Sequence, residues 1–105
     1  MEIKLIDIAH GRSGDKGDAA NVGIIAYDDK GYEIIKKYLT VKRVKKHFEG
    51  ICFGEVKRYE LPNIRALNFI LNNTLGGGGT VSLKHDAQGK TLATALLRMK
   101  IDIDD

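Results

Sequence analysis

Two apolar runs, Ile3–Ala9 and Val22–Tyr27, flank a stretch that reads His-Gly-Arg-Ser-Gly-Asp-Lys-Gly-Asp-Ala-Ala-Asn over residues 10–21. The stretch holds glycines three apart (Gly11, Gly14, Gly17), the cations Arg12 and Lys16, the carboxylates Asp15 and Asp18, a hydroxyl (Ser13) and a carboxamide (Asn21). A plain hairpin needs about two to five turn residues. A connection this long and this charged reads instead as a functional loop held by the strands on either side. Glycine lets a backbone come close to a ligand, and successive N–H groups form anion-binding nests. Arg12, Ser13, Gly14, Asp15, Lys16, Gly17, Asp18 and Asn21 are therefore candidate ligand- or partner-binding residues. The competing reading pairs Arg12 and Lys16 with Asp15 and Asp18 as an ion-pair cluster that only fixes the loop. The tetraglycine Gly76, Gly77, Gly78 and Gly79 is a second candidate, either approaching a ligand or serving as a flexible connection.

The stretch matches none of the standard catalytic or phosphate motifs. Lys16 follows Gly11 without the second glycine of a P-loop, Ser13 lacks the glycine spacing of a nucleophile elbow, and Asp15 and Asp18 stand three apart rather than at EF-hand spacing. His10, Asp15 and Asp18 fit no metal-ligand spacing, and a Ser13–His10 couple has no third member. No metal, no cofactor and no catalytic residue is assigned, and whether the chain is an enzyme stays open.

At 105 residues, with 43% apolar and 30% charged side chains, the chain reads as one soluble globular domain. No apolar run approaches the roughly 20 residues that span a bilayer. The start, Met-Glu-Ile-Lys-Leu, has no secretion-signal character, and the lone Cys52 fits a reducing cytoplasm and a buried, inert thiol. The net charge of +3 permits an anionic partner. The basic run Lys36, Lys37, Lys42, Arg43, Lys45 and Lys46 has the character of a nucleic-acid surface, but no RNA-binding or zinc signature accompanies it, and a solvated helix face is the preferred reading.

Along the chain, Ile3–Ala9 and Val22–Tyr27 read as strands, expected to pair antiparallel. Asp28 to Gly31 starts a helix with Tyr32, Ile35 and Leu39, and Thr40 caps a second whose apolar stripe is Val41, Val44 and Phe48, stopped by Gly50. Phe53–Leu61 reads as an edge strand ended by Pro62, with Phe53, Tyr59 and Leu61 on one side. Asn63 then caps an expected helix Ile64–Leu75, on the spacing of Ile64, Leu67, Ile70 and Leu71. A short strand Thr80–Lys84 follows, and Asp86 caps a helix carrying Leu92, Leu96 and Met99. Residues 99–104 read as a last strand or a frayed helix end. The sum is a two-layer α+β sandwich, helices on one face of a largely antiparallel sheet.

Arg12-Ser13-Gly14-Asp15-Lys16-Gly17 with Ala20-Asn21-Val22-Gly23 resembles the small C-terminal module of the AtuA-like family, the acyclic-terpene-utilisation proteins. Leu39-Thr40-Val41 through His47-Phe48, Val56 through Asn63, Arg65 to Phe69, Leu75 to Gly79 and Asp86 to Lys90 agree with it, so the resemblance spans nearly the whole chain. It implies a ferredoxin-like α+β fold and a setting in the catabolism of acyclic terpenoid or branched acyl compounds linked to CoA. Family members usually carry a large domain before this module. The expectation for this chain is therefore an accessory subunit seated on a large AtuA-type subunit in a separate chain, with Arg12–Asp18 at the joint site. The chain has Asp18 where the family pattern often has Asn. The alternative is a free-standing enzyme or carrier for an anionic acyl ligand. An apolar patch at Phe53, Tyr59 and Leu61 leads us to expect a homo-oligomer when the partner is absent.

Overall fold

The computed structural model describes residues 1–16, 19–49, 52, 54–72 and 90–103. Expectations placed on Gly17, Asp18, Gly50, Phe53, the tetraglycine, the strand Thr80–Lys84 and the Asp86 cap lie outside the described residues.

Strand β1 (Glu2–Lys4) does not continue to Ala9. A 3-10 turn, Leu5–Asp7, interrupts the run. The Asp7 carboxylate accepts the Lys4 backbone N–H at 3.1 Å, and Ile8 N–H donates to the Leu5 carbonyl at 3.1 Å. The chain thus leaves one sheet and enters another. Strand β1 pairs antiparallel with β6 (Lys100–Asp102), Ile3 opposite Ile101, in a two-stranded sheet. The expected pairing of the two apolar runs therefore fails except at Ala9, which faces Ala26.

The main sheet is antiparallel, in the order β2 (Ala9–Lys16), β3 (Ala19–Ala26), β5 (Ala66–Asn72), β4 (Val56–Leu61). Strand β3 alternates without a fault: Ala20, Val22, Ile24 and Ala26 are buried, and the residues between them are half-buried. That period of two is the signature of a sheet with one face on the core.

Within the helix expected over residues 64–75, Ala66–Asn72 is a central strand instead. Leu67, Phe69 and Leu71 alternate inward between Asn68 and Ile70. A short apolar run fits both periods, and the turn before it decides the outcome. Pro62–Ile64 forms a 3-10 turn, and Arg65, at φ 57°, takes the left-handed conformation that reverses the chain. Leu61 and Ala66 then face each other at the head of a hairpin. Arg65 Nε donates to Asp29 Oδ1 at 2.6 Å, and this hydrogen bond pushes the guanidinium pKa further up.

Helix α1 (Asp29–Tyr38) is capped by Asp28, whose carboxylate accepts Gly31 N–H at 2.7 Å; α2 (Val41–His47) is capped by the Thr40 hydroxyl on Arg43 N–H at 3.2 Å. Arg58 on β4 closes the other end of α1, donating to the carbonyls of Lys36 (3.1 Å) and Leu39 (2.9 Å). Helix α3 (Lys90–Leu97) buries Leu92, Ala93 and Leu96. The inner sides of the three described α-helices join the inner face of the sheet in one core with Ile35, Val44 and Phe69. This is the two-layer α+β sandwich of the ferredoxin-like class, helices on one face. None of the described helices is long and apolar enough to cross a membrane.

Candidate functional site

Residues 9–16 are not a loop. They form strand β2, one arm of a hairpin with β3 that places Arg12 opposite Gly23, Ser13 opposite Val22, Gly14 opposite Asn21, Asp15 opposite Ala20 and Lys16 opposite Ala19. The charged stretch is thus built into the sheet, and the two-fold alternation of a strand divides its residues between two faces.

Ser13 and Gly11 lie on the helix side. The Ser13 hydroxyl accepts the Ala93 N–H of α3 at 3.3 Å. A Cβ at Gly11 would stand 3.3 Å from the Ala93 Cβ and 3.2 Å from Ile24 Cδ1, so the missing side chain sets how closely α3 packs. Gly11, Arg12, Ser13, Ala93 and Thr94 line a cleft of about 400 Å³ where β2, the end strand of the sheet, meets α3. The contribution of Ala93 and Thr94 has no local signal around Ser13, because 80 residues separate Ser13 from Ala93.

Arg12, Gly14 and Asn21 lie on the other, outer side. The register strings this face into rows across the four strands: His10, Ile25, Ala66 and Leu61; then Arg12, Gly23, Asn68 and Tyr59; then Gly14, Asn21, Ile70 and Lys57. Asn21 donates its amide to the Asn68 side-chain oxygen. His10 stacks on Tyr27 with ring centroids 5.5 Å apart. Tyr27, Tyr59 and Leu61 are exposed by 59, 48 and 42%. These rows hold Arg12 and Lys57 and no carboxylate, and none of the ion pairs among the described residues involves Arg12.

No group of three or more His, Cys, Asp or Glu among the described residues is placed to hold a metal. Cys52 is buried, donating to the carbonyls of Asn72 (3.3 Å) and Gly54 (3.7 Å). Burial raises the pKa of its thiol above the ordinary 9.0, with the Gly54 hydrogen bond and the Lys45 charge opposing. It is an inert core thiol rather than a nucleophile.

No curated protein and no solved structure matches the chain. One family model does, the AtuA ferredoxin-like domain, over residues 3–102. That match takes in the β2–β3 hairpin and the described sheets and helices, and the chain belongs to the AtuA ferredoxin-like domain family.

Proposed function

We propose that this chain is a docking module of an AtuA-type protein. Its outer sheet face and the β2–β3 hairpin seat on a large AtuA-type domain carried by a separate chain. The two together complete a site for an anionic acyl compound in the breakdown of acyclic terpenoids or branched acids. Support comes chiefly from the outer face, where Tyr27, Tyr59 and Leu61 stand exposed among polar neighbours with no helix over them among the described residues. Apolar groups gathered on one side of a small domain mark an interface. Arg12 and Lys57 suit a partner whose rim is acidic. Without the large domain, the same face pairs two copies of the chain.

The test is sedimentation velocity of the chain mixed with a separately expressed AtuA-type large domain. The expected result is a complex heavier than either component, and a chain alone that sediments above its monomer mass of 11.6 kDa. Two species sedimenting independently would overturn the proposal. The cleft lined by Arg12 and Ser13 favours a second reading, a free-standing carrier of an anionic acyl group. Saturable binding of a branched acyl-CoA by the isolated chain, lost in Arg12→Ala, would favour that reading.

A further inference from the structure

A second cleft, of about 620 Å³, opens where the end of α2 meets the turn from α3 into β6. It is lined by Arg43, Lys46, His47, Arg98, Met99 and Lys100. Four of these carry permanent positive charge, and among the described residues no carboxylate lines the cleft and none of the ion pairs involves them. Two segments about fifty residues apart in the chain supply the cations, which is why the cluster is invisible in the linear sequence. Helix dipoles account for only part of it. Lys46 and His47 sit in the last turn of α2, where a cation is favoured. Arg98 lies past the end of α3 and Lys100 lies on β6, beyond either helix.

The walls are fixed by the protein itself. Arg43 Nη2 donates to the Lys100 carbonyl at 2.9 Å, and His47 Nε2 bonds the Ala95 carbonyl at 2.8 Å. A guanidinium has five N–H donors, so Arg43 keeps others for a ligand. Lys46, Arg98 and Lys100 are exposed at the mouth. Like charges gathered in a concave surface repel one another and focus a positive potential, and an anion in the cleft relieves both. The volume falls within the range of small-molecule sites and exceeds what one phosphate needs.

We propose that this cleft binds a diphosphate group, free or as an ester. Guanidinium and ammonium donors match phosphoryl oxygens in charge and hydrogen-bonding. The site lies apart from the outer sheet face and does not depend on the docking proposed above.

The test is calorimetric titration of the chain at low ionic strength with sodium pyrophosphate, with adenosine diphosphate and with a twelve-nucleotide single-stranded DNA. Saturable binding of a diphosphate is expected, together with a higher melting temperature. Tighter binding of pyrophosphate identifies the free ion as the ligand, and tighter binding of adenosine diphosphate identifies an ester. The triple variant Lys46→Gln, Arg98→Gln, Lys100→Gln should weaken binding about tenfold or more, as loss of charge-assisted bonds requires. The single Lys46→Gln should show a smaller loss in the same direction. The control triple Lys30→Gln, Lys36→Gln, Lys37→Gln on α1 removes equal charge and should bind as the parent does. No saturable binding, equal loss in both triple variants, or tighter binding of the oligonucleotide than of either diphosphate would overturn the proposal.

Discussion

Asn21 on β3 donates its side-chain amide to the side-chain oxygen of Asn68 on β5, diagonally across the two central strands of the outer face. Both residues are half-buried. On β3 the residue directly opposite Asn68 is Gly23, which puts no side chain beside the pair on that strand. Asn68→Ala leaves the Asn21 amide without this acceptor and should cost about 1 kcal/mol. Asn21→Ala should cost a similar amount, and the double variant less than the sum, because the second change removes a partner already lost. Urea unfolding of the four proteins measures this.

Two hairpin glycines should respond differently to the same substitution. A Cβ at Gly23 would meet nothing nearer than Asn68 Oδ1 at 3.7 Å, whereas one at Gly11 would meet Ile24, Ala93 and the Gly23 carbonyl at 3.2 to 3.3 Å. Gly23→Ala should therefore be neutral, or stabilising by about 0.5 kcal/mol through the unfolded chain. Gly11→Ala pushes α3 away from the sheet and should cost about 1–3 kcal/mol. Thermal melts of the two variants separate the outcomes.

How much of this was legible in sequence differs from element to element. Asp28 and Thr40 announced α1 and α2 because side-chain caps are local, and Pro62 announced the end of β4. The strand β5 was not legible, because Leu67, Ile70 and Leu71 satisfy a helical period as well as Leu67, Phe69 and Leu71 satisfy a strand. Arg65 decides between them through a left-handed φ that its side chain does not advertise. The residues of the charged stretch were recognisable, but their arrangement was not. Charge and glycine content resemble a loop, whereas pairing with β3 makes a strand and sends Ser13 and Arg12 to opposite faces. Family resemblance carried the fold where periodicity misled.

The Tyr32 hydroxyl is buried without a hydrogen-bond partner among the described residues. A buried polar group left unpaired costs its desolvation. Tyr32→Phe keeps the ring and removes the cost, so it should stabilise the fold by about 1 kcal/mol. Denaturant midpoints of the two proteins check the sign.

Cys52 makes stability fall in alkali. Its pKa is raised in the folded state by burial, so the unfolded chain loses this proton first as pH rises. The stabilisation is fully present below the ordinary value of 9.0 and declines as pH rises above it toward the folded-state value. Cys52→Ala should flatten the part of the decline in melting temperature that begins near pH 9.0. The thiol should react slowly with iodoacetamide in the native protein and rapidly once unfolded.

The central claim is that the outer sheet face docks the large AtuA-type domain. The direct measurement is the affinity of that domain for three proteins: the parent chain, a double variant Arg12→Glu, Tyr59→Arg on the outer face, and a double variant Glu33→Arg, Lys37→Glu on the exposed side of α1. All three should melt at similar temperatures, since every substituted side chain is exposed. The outer-face variant should bind at least about tenfold more weakly than the parent, as the loss of an exposed aromatic and a matched charge implies. The α1 variant should bind as the parent does. Equal affinity for the parent and the outer-face variant, or a loss confined to the α1 variant, would contradict the claim.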